Sequence, residues 1–82
     1  MYEISYRKNN LGGYMELSYK RLFKKLIDLD MQHNELMEKA NVSRDTFYKL
    51  KNGENVTTDI LLRICDALDC DISEIMECIK ND

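Results

Sequence analysis

The chain contains no proline and only three glycines among its 82 residues. It has nothing resembling a proline- or glycine-rich linker and no low-complexity segment, so its length fits one small domain. Good helix formers dominate, and an all-helical body is expected. There is one histidine, His33. No Ser/His/Asp or Cys/His pattern stands out and no glycine-rich phosphate loop exists, so the chain carries little equipment for acid–base or nucleophilic chemistry and is not read as an enzyme. Cys65, Cys70 and Cys78 are odd in number and include no CxxC pair. That makes a poor disulfide framework and a poor zinc site, and reduced thiols in or near the core are expected. No apolar run approaches a membrane span, and the first residues lack the basic-then-apolar pattern of a signal peptide, so a cytoplasmic location is expected. Neither a metal, a cofactor nor a small-molecule ligand is evident.

The formal net charge is -3, which argues against a nucleic-acid partner until it is divided along the chain. Residues 15–52 carry eight Lys or Arg against six acids, whereas residues 53–82 carry Arg63 and Lys80 against eight acids. The acidic surplus is thus confined to the last third. A phosphate responds to local potential, so a basic face on an acidic protein remains compatible with binding.

Residues 1–17 differ from the rest. Tyr2, Ile4 and Tyr6 alternate with Glu3, Ser5 and Arg7, which is strand periodicity. Asn9 to Gly13 has turn composition, and Tyr14 to Leu17 suits a returning strand. The two readings are an N-terminal arm built as a strand or hairpin, and a disordered leader with Met15 as an internal start. An ordered arm would serve dimer contact rather than DNA contact.

From Ser18 onward the period is helical. Ser18 is read as the cap of a first helix whose inner face is Tyr19, Leu22, Phe23, Leu26 and Ile27, with Lys20, Arg21, Lys24 and Lys25 outside. A second helix from about His33 points Leu36, Met37 and Ala40 inward. Asn41 suits a left-handed turn and Val42 the corner. Ser43 caps a third helix over Arg44 to Asn52, and Gly53 closes it. Thr57 caps a fourth, from about Thr58 to Leu68, with Leu61, Ile64, Cys65 and Leu68 inside. Asp71-Ile72-Ser73-Glu74 has capping-box spacing and opens a short fifth helix with Ile72, Ile75, Met76 and Ile79 as core.

The most informative stretch is Gln32 to Gly53. Two helices joined by so short a turn must cross steeply, which presents the second on the surface. Phe47 and Leu50, three residues apart, face inward together and leave Arg44, Asp45, Tyr48, Lys49 and Asn52 outside. The chemistry of those side chains suits the DNA major groove. Arg and Lys reach guanine O6 and N7, and Asp accepts from cytosine N4. Tyr48 suits the backbone or a thymine methyl. The competing structural roles are a dipole-complementing Asp45 at the helix start and solvated Arg44 and Lys49.

The run NVSRDTFYKLKNG and the closing LLRICDALDCDISEIM resemble those of the phage repressor and Cro type, the XRE family of helix-turn-helix regulators. The resemblance covers residues 18–77 and implies an all-α, five-helix DNA-binding domain at 18–79. It also implies a sequence-specific regulator of transcription that binds double-stranded DNA as a homodimer. Carried over by position, it assigns base reading to Arg44, Asp45 and Lys49, and phosphate contacts to Ser43 and Asn52. At the start of the second helix the family commonly has Thr-Gln, the Gln helping to anchor the protein on DNA. Here those positions read Gln32-His33, so Gln32 substitutes or His33 touches a phosphate. Met37 stands where a small Ala usually lets the helices cross closely, which suggests a repacked corner, and Asn41 replaces the usual Gly. The alternative function is a protein-interaction module on the same fold, with the acidic region 54–82 serving the partner.

Overall fold

The computed structural model describes residues 7–8 and 14–81. Strand β1 (Arg7–Lys8) and strand β2 (Tyr14–Ser18) precede helices α1 (Lys20–Asp28), α2 (His33–Ala40), α3 (Arg44–Lys51) and α4 (Thr58–Leu68). A 3-10 turn (Ile72–Glu74) and strand β3 (Glu77–Asn81) follow. The helices enclose a core of Leu22, Leu26, Leu36, Phe47, Leu50 and Ile64, capped by Ile75. The three strands form an antiparallel sheet in the order β1-β2-β3, with Arg7 opposite Met15 and Leu17 opposite Cys78.

The expected N-terminal hairpin is therefore present as β1 and β2. The alternating residues Tyr2, Ile4 and Tyr6 and the turn at 9–13 lie outside the described residues.

Each helix ends in the same way. Asp30, Asn41, Gly53 and Asp69 all have positive φ, between 52° and 71°. At each, the following N–H reaches back to the carbonyl five residues earlier. Met31 donates to Leu26, Val42 to Met37, Glu54 to Lys49 and Cys70 to Cys65, at 2.8–3.0 Å. This is the Schellman closure, in which one left-handed residue satisfies the last carbonyls and reverses the chain. Glycine takes that conformation freely, and Asn and Asp tolerate it better than other side chains. A chain short of glycine uses them at three of its four stops.

Four expectations are corrected. Among the described residues there is no fifth helix: its capping box exists, but it heads a single 3-10 turn, and the chain then extends to pair with β2. Glu74 Oε2 accepts from the Asp71 N–H at 3.1 Å, as the box requires. Ile75 is fully buried, but Ile72 is 44% exposed and outside the core. Ser18 is not the α1 cap. Tyr19 holds that position, while the buried Ser18 hydroxyl accepts from the Lys20 N–H at 3.3 Å. Ile27 lies at the edge of the α1 stripe and is 78% exposed rather than inside. Of the cysteines, Cys65 and Cys70 are half-buried, and burial pushes their thiols up from the ordinary value, whereas Cys78 is exposed on β3.

The 3-10 turn is clamped to α1. Lys25 Nζ meets Glu74 Oε1 at 2.9 Å, and Arg21 bonds the Ser73 carbonyl at 2.8 Å and Glu77 at 3.0 Å. Two of the four α1 cations read as an open basic face are thus engaged by acids of the last third.

The hydrogen bond from Lys25 holds the Glu74 carboxyl below its ordinary 4.5, and Lys25 is raised above 10.5 by the same bond. A depressed carboxyl stabilises the fold above its unfolded value and loses that contribution as pH falls through the folded value. The raised lysine contributes below its unfolded value and loses that part as pH rises through the folded one. We expect Glu74→Gln to flatten the acid limb of stability below about pH 4.5 while leaving pH 6–8 behaviour parallel to wild type, read by urea denaturation across pH. An unchanged acid limb would remove the clamp from this role.

Candidate nucleic-acid interface

Helix α3 is built from its ends inward. Ser43 is extended, and its Oγ accepts from the Thr46 N–H at 3.2 Å. The hydroxyl's single proton goes to Thr46 Oγ1 at 3.0 Å. Ser43 is thus a cap with its donor committed, rather than a donor aimed outward. Asp45 stands in the first turn and Lys49 and Lys51 in the last, each complementing the helix dipole. At the far end Asn52 turns its amide onto Glu54 at 3.4 Å, so that this end also carries an acid.

Phe47 and Leu50 are buried to 3% and 1% exposure. Helical spacing then turns Arg44, Asp45, Tyr48, Lys49 and Lys51 outward, and all five are exposed. Among the described residues none of Arg44, Lys49 and Lys51 forms an ion pair. Lys51 Nζ lies 5.6 Å from the centre of the Tyr48 ring, a cation–π arrangement. Lys51 was not singled out in the sequence, although its i,i+3 spacing from Tyr48 is the signal that finds it.

The turn between α2 and α3 is fixed from α4. Arg63 Nη1 donates to the Asn41 carbonyl at 3.1 Å while Nη2 pairs with Asp59 at 2.9 Å. Val42 is buried at the corner. Met37, which stands where the family resemblance implies a small residue, is half-buried and packs against the core. Arg63 is a second residue that sequence reasoning missed, since its partner lies in a loop 22 positions away.

At the start of α2, Gln32 is the exposed cap, and its N–H donates to Glu35 Oε1 at 3.0 Å. His33 is exposed, and one side of its ring packs on aromatics: its ring centre lies 4.9 Å from that of Phe47 and 5.8 Å from that of Phe23. Of the eight sequence candidates, Arg44, Asp45, Tyr48 and Lys49 share one open face. Gln32 lies at the neighbouring helix start, Ser43 and Asn52 bracket α3, and His33 packs against the back of that helix.

Among the described residues no group of three or more His, Cys, Asp or Glu side chains is placed to hold a metal, and no helix is long and apolar enough to cross a membrane.

Residues 21–81 match the Cro/C1-type helix-turn-helix DNA-binding domain, and the chain belongs to that family. It is similar to the crystal structure of the transcriptional regulator VanUg (form II), with 46% identity and a TM-score of 0.76, covering 89% of this chain and 97% of that one. No curated protein matches it.

The Ser43 cap can be weighed directly. Ser43→Ala removes the acceptor of an exposed helix start, and we expect it to cost about 1 kcal/mol in chemical denaturation. Ser43→Asp, which keeps an acceptor, should restore most of the loss.

Proposed function

We propose that the protein is a sequence-specific regulator of transcription that inserts α3 into the major groove. The observation that carries this reading is the division of α3. Phe47 and Leu50 are buried, while Arg44, Asp45, Tyr48 and Lys49 form one open face. Arg44 and Asp45 lie in the first turn and Lys49 a turn beyond, where a helix entering the groove meets base edges. Arg44 and Lys49 read guanine, Asp45 accepts from cytosine, and Tyr48 with Lys51 meets the backbone. Gln32 reaches a phosphate from the neighbouring helix start, and Ser43 and Asn52 hold the two ends of the reading helix at the same surface. In this reading residues 18–79 are the DNA-binding unit and 1–17 an arm attached through β2.

A single α3 spans too few base pairs to specify a site, so we further propose a homodimer on a two-fold operator, acting in the cytoplasm where the DNA lies. No catalytic step is assigned to it. The second reading, a protein-interaction module on this fold, draws on the acidic last third and on the exposed Leu62 and Ile72 there.

Selection of bound duplexes from a random pool tests the first reading and reports half-site spacing. Binding that falls steeply with salt is the expected result. No enrichment, together with no duplex binding at physiological ionic strength, would favour the interaction module. On the selected duplex, Arg44→Ala and Lys49→Ala should each weaken binding by about 1–3 kcal/mol while leaving thermal stability nearly unchanged. Wild-type affinity in the double variant would remove α3 from the role.

A further inference from the structure

We propose that His33 is a positioning residue, whose ring fixes the orientation of α3 instead of anchoring the protein on a phosphate. The proposal rests on the reading of α3 as the groove-binding helix.

Three rings from three helices meet at one edge of α3, with Phe47 buried, Phe23 half-buried and the His33 ring lying over them at the exposed surface. Phe23 of α1 and Phe47 of α3 lie 5.7 Å apart with their planes at 78°. His33, the first residue of α2, stands against both, at 70° to Phe23 and 50° to Phe47. All three separations fall in the range where aromatic pairs attract; the two pairs made by Phe23 are edge-to-face, with a positive ring edge meeting a negative ring face, and that of His33 with Phe47 is tilted. Such contacts depend on tilt as well as distance, so they resist rotation in a way that aliphatic packing does not.

Phe47 is the buried side chain directly behind the exposed face of α3. Turning α3 about its own axis drags Phe47 across the other two rings. The opposite end of α2, at the turn into α3, is already held by the Arg63 bond to the Asn41 carbonyl at 3.1 Å. The ring of His33 supplies the second point. Two points of attachment, one at the turn and one at the far end of α2, determine the angle at which Arg44 and Lys49 are presented. A glutamine at this position would offer a flexible amide and no ring edge, so it could not make these two ring contacts.

Two replacements separate these roles. His33→Phe keeps a ring and deletes both nitrogens, and His33→Gln keeps hydrogen-bonding groups and deletes the ring. Affinity for the selected duplex and for unrelated duplex would be measured across a salt series, with thermal melts of each variant. Positioning predicts that His33→Phe binds within about twofold of wild type with the same salt slope. His33→Gln should lose about tenfold on the selected duplex and much less on unrelated DNA, because orientation matters only for reading bases. The proposal is overturned if His33→Phe loses affinity to a similar extent on selected and unrelated duplex, the mark of a lost phosphate contact, which carries no sequence information. It is equally overturned if His33→Gln binds as wild type.

A readout independent of DNA keeps this test distinct from the fate of the functional reading. In the free protein the His33 ring protons should resonate displaced by the ring currents of Phe23 and Phe47, and Phe23→Leu should shift them. Unperturbed resonances in wild type would defeat the proposal even if duplex binding is confirmed. Failure of wild type to bind any duplex would defeat the functional reading first.

Discussion

The burial of Phe47 and Leu50 is the constraint on which the rest depends. Removing two large apolar side chains of α3 from water stabilises the fold by roughly 1.5–3 kcal/mol each. It also decides, by helical geometry alone, which side chains remain outside. No separate force is needed to display Arg44, Asp45, Tyr48 and Lys49; they are what is left when the inner stripe is satisfied. Everything around α3 then acts on its angle rather than its exposure. Val42 fills the corner, Arg63 ties the turn to α4, and Phe23 and His33 bear on Phe47 from behind.

Charge is partitioned with the same economy. The acids of the last third are not spread evenly over the surface. Glu74 and Glu77 lie against Lys25 and Arg21, so part of the negative surplus is spent on the α1 side of the molecule. Lys49 and Lys51 on α3 keep their charge toward solvent. A net charge of -3 is therefore a weak guide to the potential at the reading face.

Much of this was legible in the sequence, for local reasons. The four helices announce themselves because each has a periodic apolar stripe; Asn41 and Gly53 suit the left-handed closures of α2 and α3, and Ser43 and Thr57 mark the starts of α3 and α4, whereas the same closures at Asp30 and Asp69 were not read from the sequence. The open face of α3 was legible because it follows from the spacing of Phe47 and Leu50. What was missed depends on partners remote in sequence. Asp71 to Glu74 has identical caps whether a helix or a single turn follows; the outcome is set by β2, which offers Glu77–Asn81 a ladder to join. Ile27 fits the α1 stripe by spacing, but among the described residues no neighbour covers it. The ring contacts of His33 link residues from three helices, and no window of sequence contains them. Arg63 likewise acts on a carbonyl in another loop.

The pairing of β2 with β3 has a consequence for the order in which the protein assembles. Ser18 faces Glu77 and Met15 faces Lys80, so the ladder joins residues from nearly opposite ends of the chain. Closing so large a loop in an unfolded chain is entropically costly, and little is gained until many contacts form at once. The helices, whose stops are local, give the intervening chain a compact shape that carries the two segments toward each other. The sheet is thus expected to close last and open first, and the Leu17 carbonyl of β2, within 4 Å of where a Cβ on Gly53 would stand, sets that seam beside the C-terminal end of α3.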